Sequence, residues 1–561
     1  MNKQIRIIIL SIISVLLILG VSSNSFAGTY LGLASAVKSR VQQLKDEKEK
    51  QQEESIAITA TDGTDVTNHP PVIASLTANP ASIPVAINTT ITCSASDPDN
   101  NPLAYGWSAA QGIITGTGSI IIRTAPATSG SYMISCTVSD GKGGTAQQSV
   151  TVTATAVAPP APIVPANWTK QFGTIFDDEG LAVATDTSGN IYITGWTDGD
   201  LDGNTNKGSH DIFLIKYDIT GTKIWTKLLG TSVADEGLGV AVDPSGNVYV
   251  TGYTFGDLDG NTNQGGQDVF LTKYNTSGVR LWTRQFGTSA DEAGMGVATD
   301  SSGNIYVTGW TTGDLNGNTN QGGYDIFITK YDTNGTSLWT KLLGTSAIDE
   351  GLGVAVDHSD NIYVTGYTFG NLDGNTNKGG KDVFLAKFNT SGSKLWTKQF
   401  GSSVDDESHG VATDASGNIY ITGLTSGNLD GNTSQGGEDI FLTKFDASGA
   451  KLWTKQYGTS ADDAGLGVAV NASGNIYVTG LTAGGLDGNV NQGGYDIFLT
   501  KFDSSGSRLW TKQYGTSADD AGLGVALDSS GNIDATGWTK GGLNANANQG
   551  SIDMFLIRLA P

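Results

Sequence analysis

The stretch DLDGNTNQGGQD sets side-chain oxygens at alternate positions, Asp257, Asp259, Asn261 and Asn263, and closes on Asp268. Oxygen donors spaced this way suit calcium (Ca2+), which takes six to eight oxygens. The same ladder stands earlier as Asp200, Asp202, Asn204, Asn206 and Asp211, and related loops occur seven times in the chain. The spacing departs from an EF-hand, with Gly at loop position 4 rather than 6 and no glutamate at the twelfth position. Calcium held by these ten residues is one expectation. The other is that Asn and Asp bond the loop backbone and keep long loops rigid.

Two further columns of acids recur. Trp168, Trp225, Trp282, Trp339, Trp396, Trp453 and Trp510 are spaced by 57 residues without an insertion. Ten residues after each stands an acid: Asp178, Asp235, Glu292, Asp349, Asp406, Asp463 and Asp520. Forty-three residues after each stands Asp211, Asp268, Asp325, Asp382, Asp439, Asp496 or Asp553. A third column, the residue after "TG", gives Trp196, Tyr253, Trp310, Tyr367 and Trp538, with Leu424 and Leu481 between them. These aromatics are candidate ligand contacts, stacking on sugars or seating a protein loop; packing beneath the long loop is their plain alternative.

Elements must bring these columns together. Each 57-residue unit reads as four short strands: "GVAVD", "NIYVTG", "DIFLTKY" and "WTKQFG". The turn "DxSGN" between the first two supplies Asp, Gly and Asn where a tight hairpin needs them. Strands that alternate up and down put both acidic loops of every unit on one face. The last unit lacks its Trp strand, and a spare one precedes the first unit; pairing of Trp168–Gly173 with Asp553–Leu559 would close the ring and remove an exposed edge. Seven four-stranded units predict an all-β fold, a seven-bladed β-propeller over 167–561.

The rest of the chain reads as an export and spacer region. Lys3 and Arg6, the apolar run "IIILSIISVLLILGV" and Ser25-Phe26-Ala27 predict a signal peptide over 1–27. Residues 28–69 predict a charged spacer or short helix, and the Pro-rich 157–166 a semi-rigid linker. Between them, 70–156 alternates short Thr-, Ser-, Val- and Ile-rich runs with Pro and Gly, the pattern of a β-sandwich. Cys93 and Cys136 are the two cysteines of the chain. In an exported protein such a pair reads as one disulfide, with two free buried thiols as the alternative.

Two resemblances follow from these residues. Cys93, Trp107, Cys136, "SDPDNNPLAYGW" and "VSDGKGG" resemble PKD-type and related bacterial Ig-like modules, which implies spacing or adhesion. "WTKQFGT", "GVAVDxSGNIYVTG" and "GGxDxFLTKYDxxG" resemble the bacterial seven-bladed β-propeller (SBBP) repeats across 168–561. That likeness implies a fold and an extracytoplasmic setting, and no reaction.

The net charge of −23 argues against nucleic-acid binding, which needs basic patches. No apolar run after the signal is long enough to span a membrane. The four histidines, His69, His210, His358 and His409, show no ligand spacing, and no Ser–His–Asp arrangement is visible. The expectation is a secreted, non-catalytic binding or structural protein whose partner is a protein or polysaccharide at the cell surface. The alternative is an extracellular glycosidase or lyase working on the acidic face.

Overall fold

The computed structural model describes residues 67–156 and 167–561. The expected signal peptide, most of the spacer and the linker lie outside the described residues. The described chain divides into two compact units, one on each side of 157–166. Among the described residues there are β-strands and four short 3-10 turns, and no helix is long and apolar enough to cross a membrane.

In the N-terminal unit, one sheet runs Val72–Asn79, Asn88–Ser96, Ile120–Thr124, Ile113–Thr115, and the other Ser82–Pro84, Thr145–Thr155, Gly130–Ser139, Ala104–Ala109. Alternation along each strand sends Ile91, Cys93, Ile121, Ile134, Cys136, Val138 and Val152 into one shared core. Trp107 pairs in register with Cys136 and donates its Nε1–H to the Gly118 carbonyl at 2.9 Å. The expected disulfide is not formed: Cys93 and Cys136 are both free and buried. Burial, reinforced by the neighbouring Cys93 thiol, pushes the Cys136 thiol up to about 12, so Cys136 stays a thiol at neutral pH.

Residues 167–561 form seven antiparallel four-stranded sheets, one per repeat unit. Unit two, for example, is Asp235–Val242, Val248–Thr254, Asp268–Tyr274 and Arg280–Phe286. The second and third strands are buried along nearly their whole length, because the sheets of adjacent units cover both faces. One cluster joins Tyr192, Ile212 and Leu214 of unit one to Val248, Val250 and Phe270 of unit two, and equivalent clusters recur between later units. This is why these strands read as unbroken apolar runs.

The first strand of each unit packs beside the first strand of the next, and unit seven's lies against unit one's. Together the seven line a single central cavity of about 360 Å³. Glycine permits the approach: a Cβ on Gly239 would stand 3.3 Å from Gly296 Cα and 3.2 Å from Val297 N. The ring closes as expected. Asn167–Phe172 is the fourth strand of the last sheet, in register from Met554↔Phe172 to Leu559↔Asn167.

The repeated tryptophans sit on the outer strands half-buried rather than in the core. Trp225 lies 6.1 Å from Tyr192 and against Gly278 in a turn of the next unit. Unit seven also departs from the pattern. Six units have a buried Tyr on the second strand, and five of these Tyr hydroxyls bond the turn Asp, as Tyr249 does to Asp243 at 3.0 Å. Unit seven places Asp534 there, and buried Arg558 bonds both Asp534 and Asp528.

Candidate functional site

The Asx ladder is built by a tight turn. Asp259 takes φ 55° and ψ 33°, Gly260 φ 79°, and the Asn261 N–H donates to the Leu258 carbonyl at 3.0 Å. Two successive positive φ values make a type I′ turn, which asks for Asp-Gly or Asn-Gly. Leu258, just before the turn, is fully buried and anchors the loop, and so are its counterparts Leu315, Leu372 and Leu429.

The ladder oxygens are spent within each loop and on its neighbouring strand. Asp257 Oδ1 accepts from Asn263 N at 2.8 Å, and Asn263 Oδ1 accepts from Gly265 N at 2.8 Å. Asn261 Nδ2 donates to the Leu258 carbonyl at 2.8 Å. Asp259 pairs with Arg280 on the fourth strand. The first loop repeats this: Asp200 accepts from Asn206 N, Asn204 bonds Leu201, Asn206 accepts from Gly208 N, and Asp202 pairs with Lys223 and Thr226. Asp211 and Asp268 each accept from their own loop through Oδ2, from Lys207 N at 3.0 Å and Gln264 N at 2.9 Å. Within each loop these bonds pin the turn by its own Asx side chains. Among the described residues, no group of three or more His, Cys, Asp or Glu is placed to hold a metal ion.

The two long acid columns do meet. Asp at the head of each third strand and the acid at the head of the next unit's first strand flank one glycine. A Cβ on Gly287 would stand 2.1 Å from Asp268 Oδ1 and 2.7 Å from Glu292 Oε2, and one on Gly458 2.3 Å from Asp439 Oδ1 and 2.9 Å from Asp463 Oδ2. Each joint therefore holds two fully buried carboxylates. The first-strand member is well bonded: Asp235 accepts from Thr231 N at 2.6 Å, Thr231 Oγ1 at 2.9 Å and the Thr254 hydroxyl. In every unit but the last the third-strand member uses one oxygen, as Asp268 Oδ2 does toward Gln264 N at 2.9 Å and Gln285 Nε2 at 3.0 Å. Its other oxygen is buried without a partner in Asp211, Asp268, Asp325, Asp382, Asp439 and Asp496. Burial, with the paired carboxylate adding repulsion, pushes Asp178, Asp211 and Asp325 up to about 6.

Nearer the axis, on the same end of the ring, the next residue of the first strand gives Glu179, Glu236, Glu350 and Glu407 in units one, two, four and five. These pair in register with Trp196, Tyr253, Tyr367 and Leu424. Glu236 accepts from His210 Nδ1 at 2.9 Å, and Glu407 is paired with Lys381. Glu179 has no such partner, and burial, with Glu236 and Asp177 repelling it, pushes it up to about 7.

The expected aromatic contacts lie mostly beneath other side chains. Trp196 is 9% exposed and stacks on His210 at 4.0 Å, and Trp310 stacks on Tyr324 at 4.6 Å. Tyr253 and Tyr367 meet Phe255 and Phe369 edge-on, and Lys540 lies over Trp538. The rings that reach solvent are Phe176 at 53%, Phe255 at 44% and Phe369 at 40%, joined by Ile175, Val233, Ile348 and Val404. Sequence reasoning missed these; their signal was the Phe in "GYTFG" and "IFDDE". It also missed the residue before each third-strand Asp, where His210, Tyr324 and Lys381 support the aromatic column.

Residues 68–153 match the family described as Bacterial Ig domain, and 167–202, 224–259, 281–316, 338–373 and 395–430 match the family described as Beta-propeller repeat (SBBP). The chain carries a bacterial Ig domain followed by SBBP beta-propeller repeats. The matched repeat segments run from the fourth strand of one sheet to the Asx loop of the next, so the repeat boundary crosses the joint holding the acid pair. Among relatives, the chain is 24% identical over 492 residues to a WD repeat-containing protein of Acanthamoeba polyphaga mimivirus, covering 65% of this chain and 35% of that protein. It is 27% identical over 398 residues to the regulatory protein FlaEY of Caulobacter vibrioides, covering 62% and 41%. The chain thus spans less than half the length of either relative. Similar solved structures include YCF48 bound to D1 peptide, at TM-score 0.37, 11% identity, and coverage of 72% of this chain and 98% of that one. A gluconolactonase from Xanthomonas campestris matches at TM-score 0.33, 12% identity, and coverage of 71% and 99%. Nothing about activity rests on matches of this size.

Proposed function

We propose that 167–561 is a closed seven-bladed propeller, carried behind an Ig-like sandwich, acting outside the cytoplasm as a non-catalytic scaffold. Its acidic end binds a protein or a polysaccharide at the cell surface. The observation that carries this reading is the make-up of that one end: four half-buried glutamates around the channel, with exposed Phe176, Phe255 and Phe369 outside them. Solvent-facing aromatics above a rigid, charged floor are what interface anchors require. The signal-like N-terminus and the Ig domain support an extracytoplasmic setting.

The test is binding of the full chain to arrays of surface polysaccharides and of peptides, beside the double variant Phe255→Ala/Phe369→Ala. Retention of an array ligand, weakened about tenfold or more by the double variant, is the expected result. Undiminished binding by the variant would reject this face. A second reading is favoured by Glu179, an unpaired carboxyl pushed up to about 7 beside Glu236. Such a group could act as a general acid in a glycosidase or lyase. Release of reducing ends from an array polysaccharide, lost in Glu179→Gln, would favour that reading instead.

A further inference from the structure

The central channel departs from repeat symmetry at one place. One repeat position is Leu181, Leu238, Met295, Leu352, Leu466 and Leu523 in six units and His409 in unit five, and all but Leu352 line the cavity. The residue before it is Gly in those six units and Ser408 here; its hydroxyl bonds the Thr365 hydroxyl on the neighbouring unit. The fold itself has no need of a histidine at 409, since six copies of the same strand close the ring with an apolar side chain. His409 also carries a cost: its Nε2 is buried with no hydrogen-bond partner. The ring as a whole keeps 28% side-chain exposure toward the channel it lines. Burial holds His409 below the usual histidine range, which keeps the imidazole neutral.

His409 Nε2 lies 3.7 Å from Glu407 Oε2, too long for a direct hydrogen bond and short enough for one donor to serve both. Glu407 spends its other oxygen on Lys381. Glu350 and Glu438 flank this pair, so three carboxylates face one ammonium and the sector stays negative. Around the channel, at the repeat position of His409, Leu181, Leu238, Met295, Leu466 and Leu523 offer aliphatic wall within the 360 Å³ cavity. A group that donates several hydrogen bonds, carries positive charge and sits on an aliphatic stem fits all of these surroundings.

We infer that the channel mouth at unit five is a site for a primary alkylammonium group, bonded jointly by His409 Nε2 and Glu407 Oε2. The stem lies against the leucine-lined wall. This deepens the proposed binding face and rests on it. The ammonium belongs either to a free aliphatic amine or to a lysine side chain of a docked polypeptide.

Calorimetric titration of the full chain with n-hexylammonium, N-acetyl-lysinamide and hexanoate tests it. Saturable binding of one or both amines, and none of hexanoate, is expected. Binding of hexylammonium alone assigns the site to free amines; binding of the lysinamide assigns it to polypeptide lysine. His409→Leu, the residue of the other units, should keep or raise the melting temperature and weaken amine binding at least tenfold. His409→Gln, which retains an acceptor, should recover part of it. Equal amine binding by wild type and His409→Leu would overturn the assignment, as would hexanoate binding or no saturable amine binding. If the amines fail while the array ligand is still held through Phe255 and Phe369, the channel site falls and the binding face stands.

Discussion

At the residue scale, the ladder shows how one pattern serves two physical demands. Asp or Asn at its third position is what a left-handed backbone accepts among residues with a side chain, since a short polar side chain bonds locally there. All seven copies have it, with φ from 50° at Asn316 and Asn544 to 55° at Asp259. Alternate oxygens therefore serve the turn itself, and sequence alone could not separate this cause from metal ligation because both place Asx at the same spacing. The next position tests this account. Six units have Gly there and unit seven has Ala545 at φ 66°. At the equivalent glycines Gly203, Gly260 and Gly317 a Cβ would meet open space, so backbone conformation alone sets the preference. Ala545→Gly should stabilise the protein by about 1 kcal/mol, read as a higher denaturation midpoint. A lower midpoint would mean that the loop of unit seven is not held in this turn. The cysteines teach a related point: their type and order were legible, but whether two buried thiols join was not.

At the element scale, the acid columns were visible as spacing, and their placement at one end followed from strand alternation. What the sequence left open was that they meet in pairs across each joint between units, because contact between a third strand and the next first strand depends on how sheets pack. The pairs have a consequence for pH. Asp178, Asp211 and Asp325 stand at about 6 when folded, above the ordinary aspartate value of 3.8. A carboxyl raised by folding favours the folded state fully below its unfolded value, and that contribution is lost as pH rises through the folded value. Stability should therefore fall between about pH 4 and pH 6.5, and the melting temperature at pH 5 should exceed that at pH 8 by several degrees, on the order of 5 °C. Asp325→Asn should raise the melting temperature at pH 8 and change it little at pH 5. A melting temperature that rises from pH 5 to pH 8 in the wild type would show that the pairs are ionised and compensated.

At the scale of the whole molecule, the repeat period, the four strands of each unit and the closing strand were all legible, since regular spacing of Trp, "SGN" and "TG" leaves little freedom. The ligand end was legible only in part: the acids were found, while the exposed phenylalanines and the supporting His210, Tyr324 and Lys381 became visible once neighbouring strands were in place. His409 stood out only when the first strands were seen to share a channel. Every function assigned to that end requires a ring that is closed, because an open array would splay the glutamates and unline the cavity. Closure depends on Asn167–Phe172 completing the sheet of Asp553–Leu559. Amide hydrogen exchange of the full chain, followed by mass spectrometry, addresses this directly. In a closed ring, 167–172 exchanges as slowly as the outer strand Arg280–Phe286, and together with 553–559. Exchange of 167–172 at the rate of unprotected chain, with 553–559 slow, would contradict it.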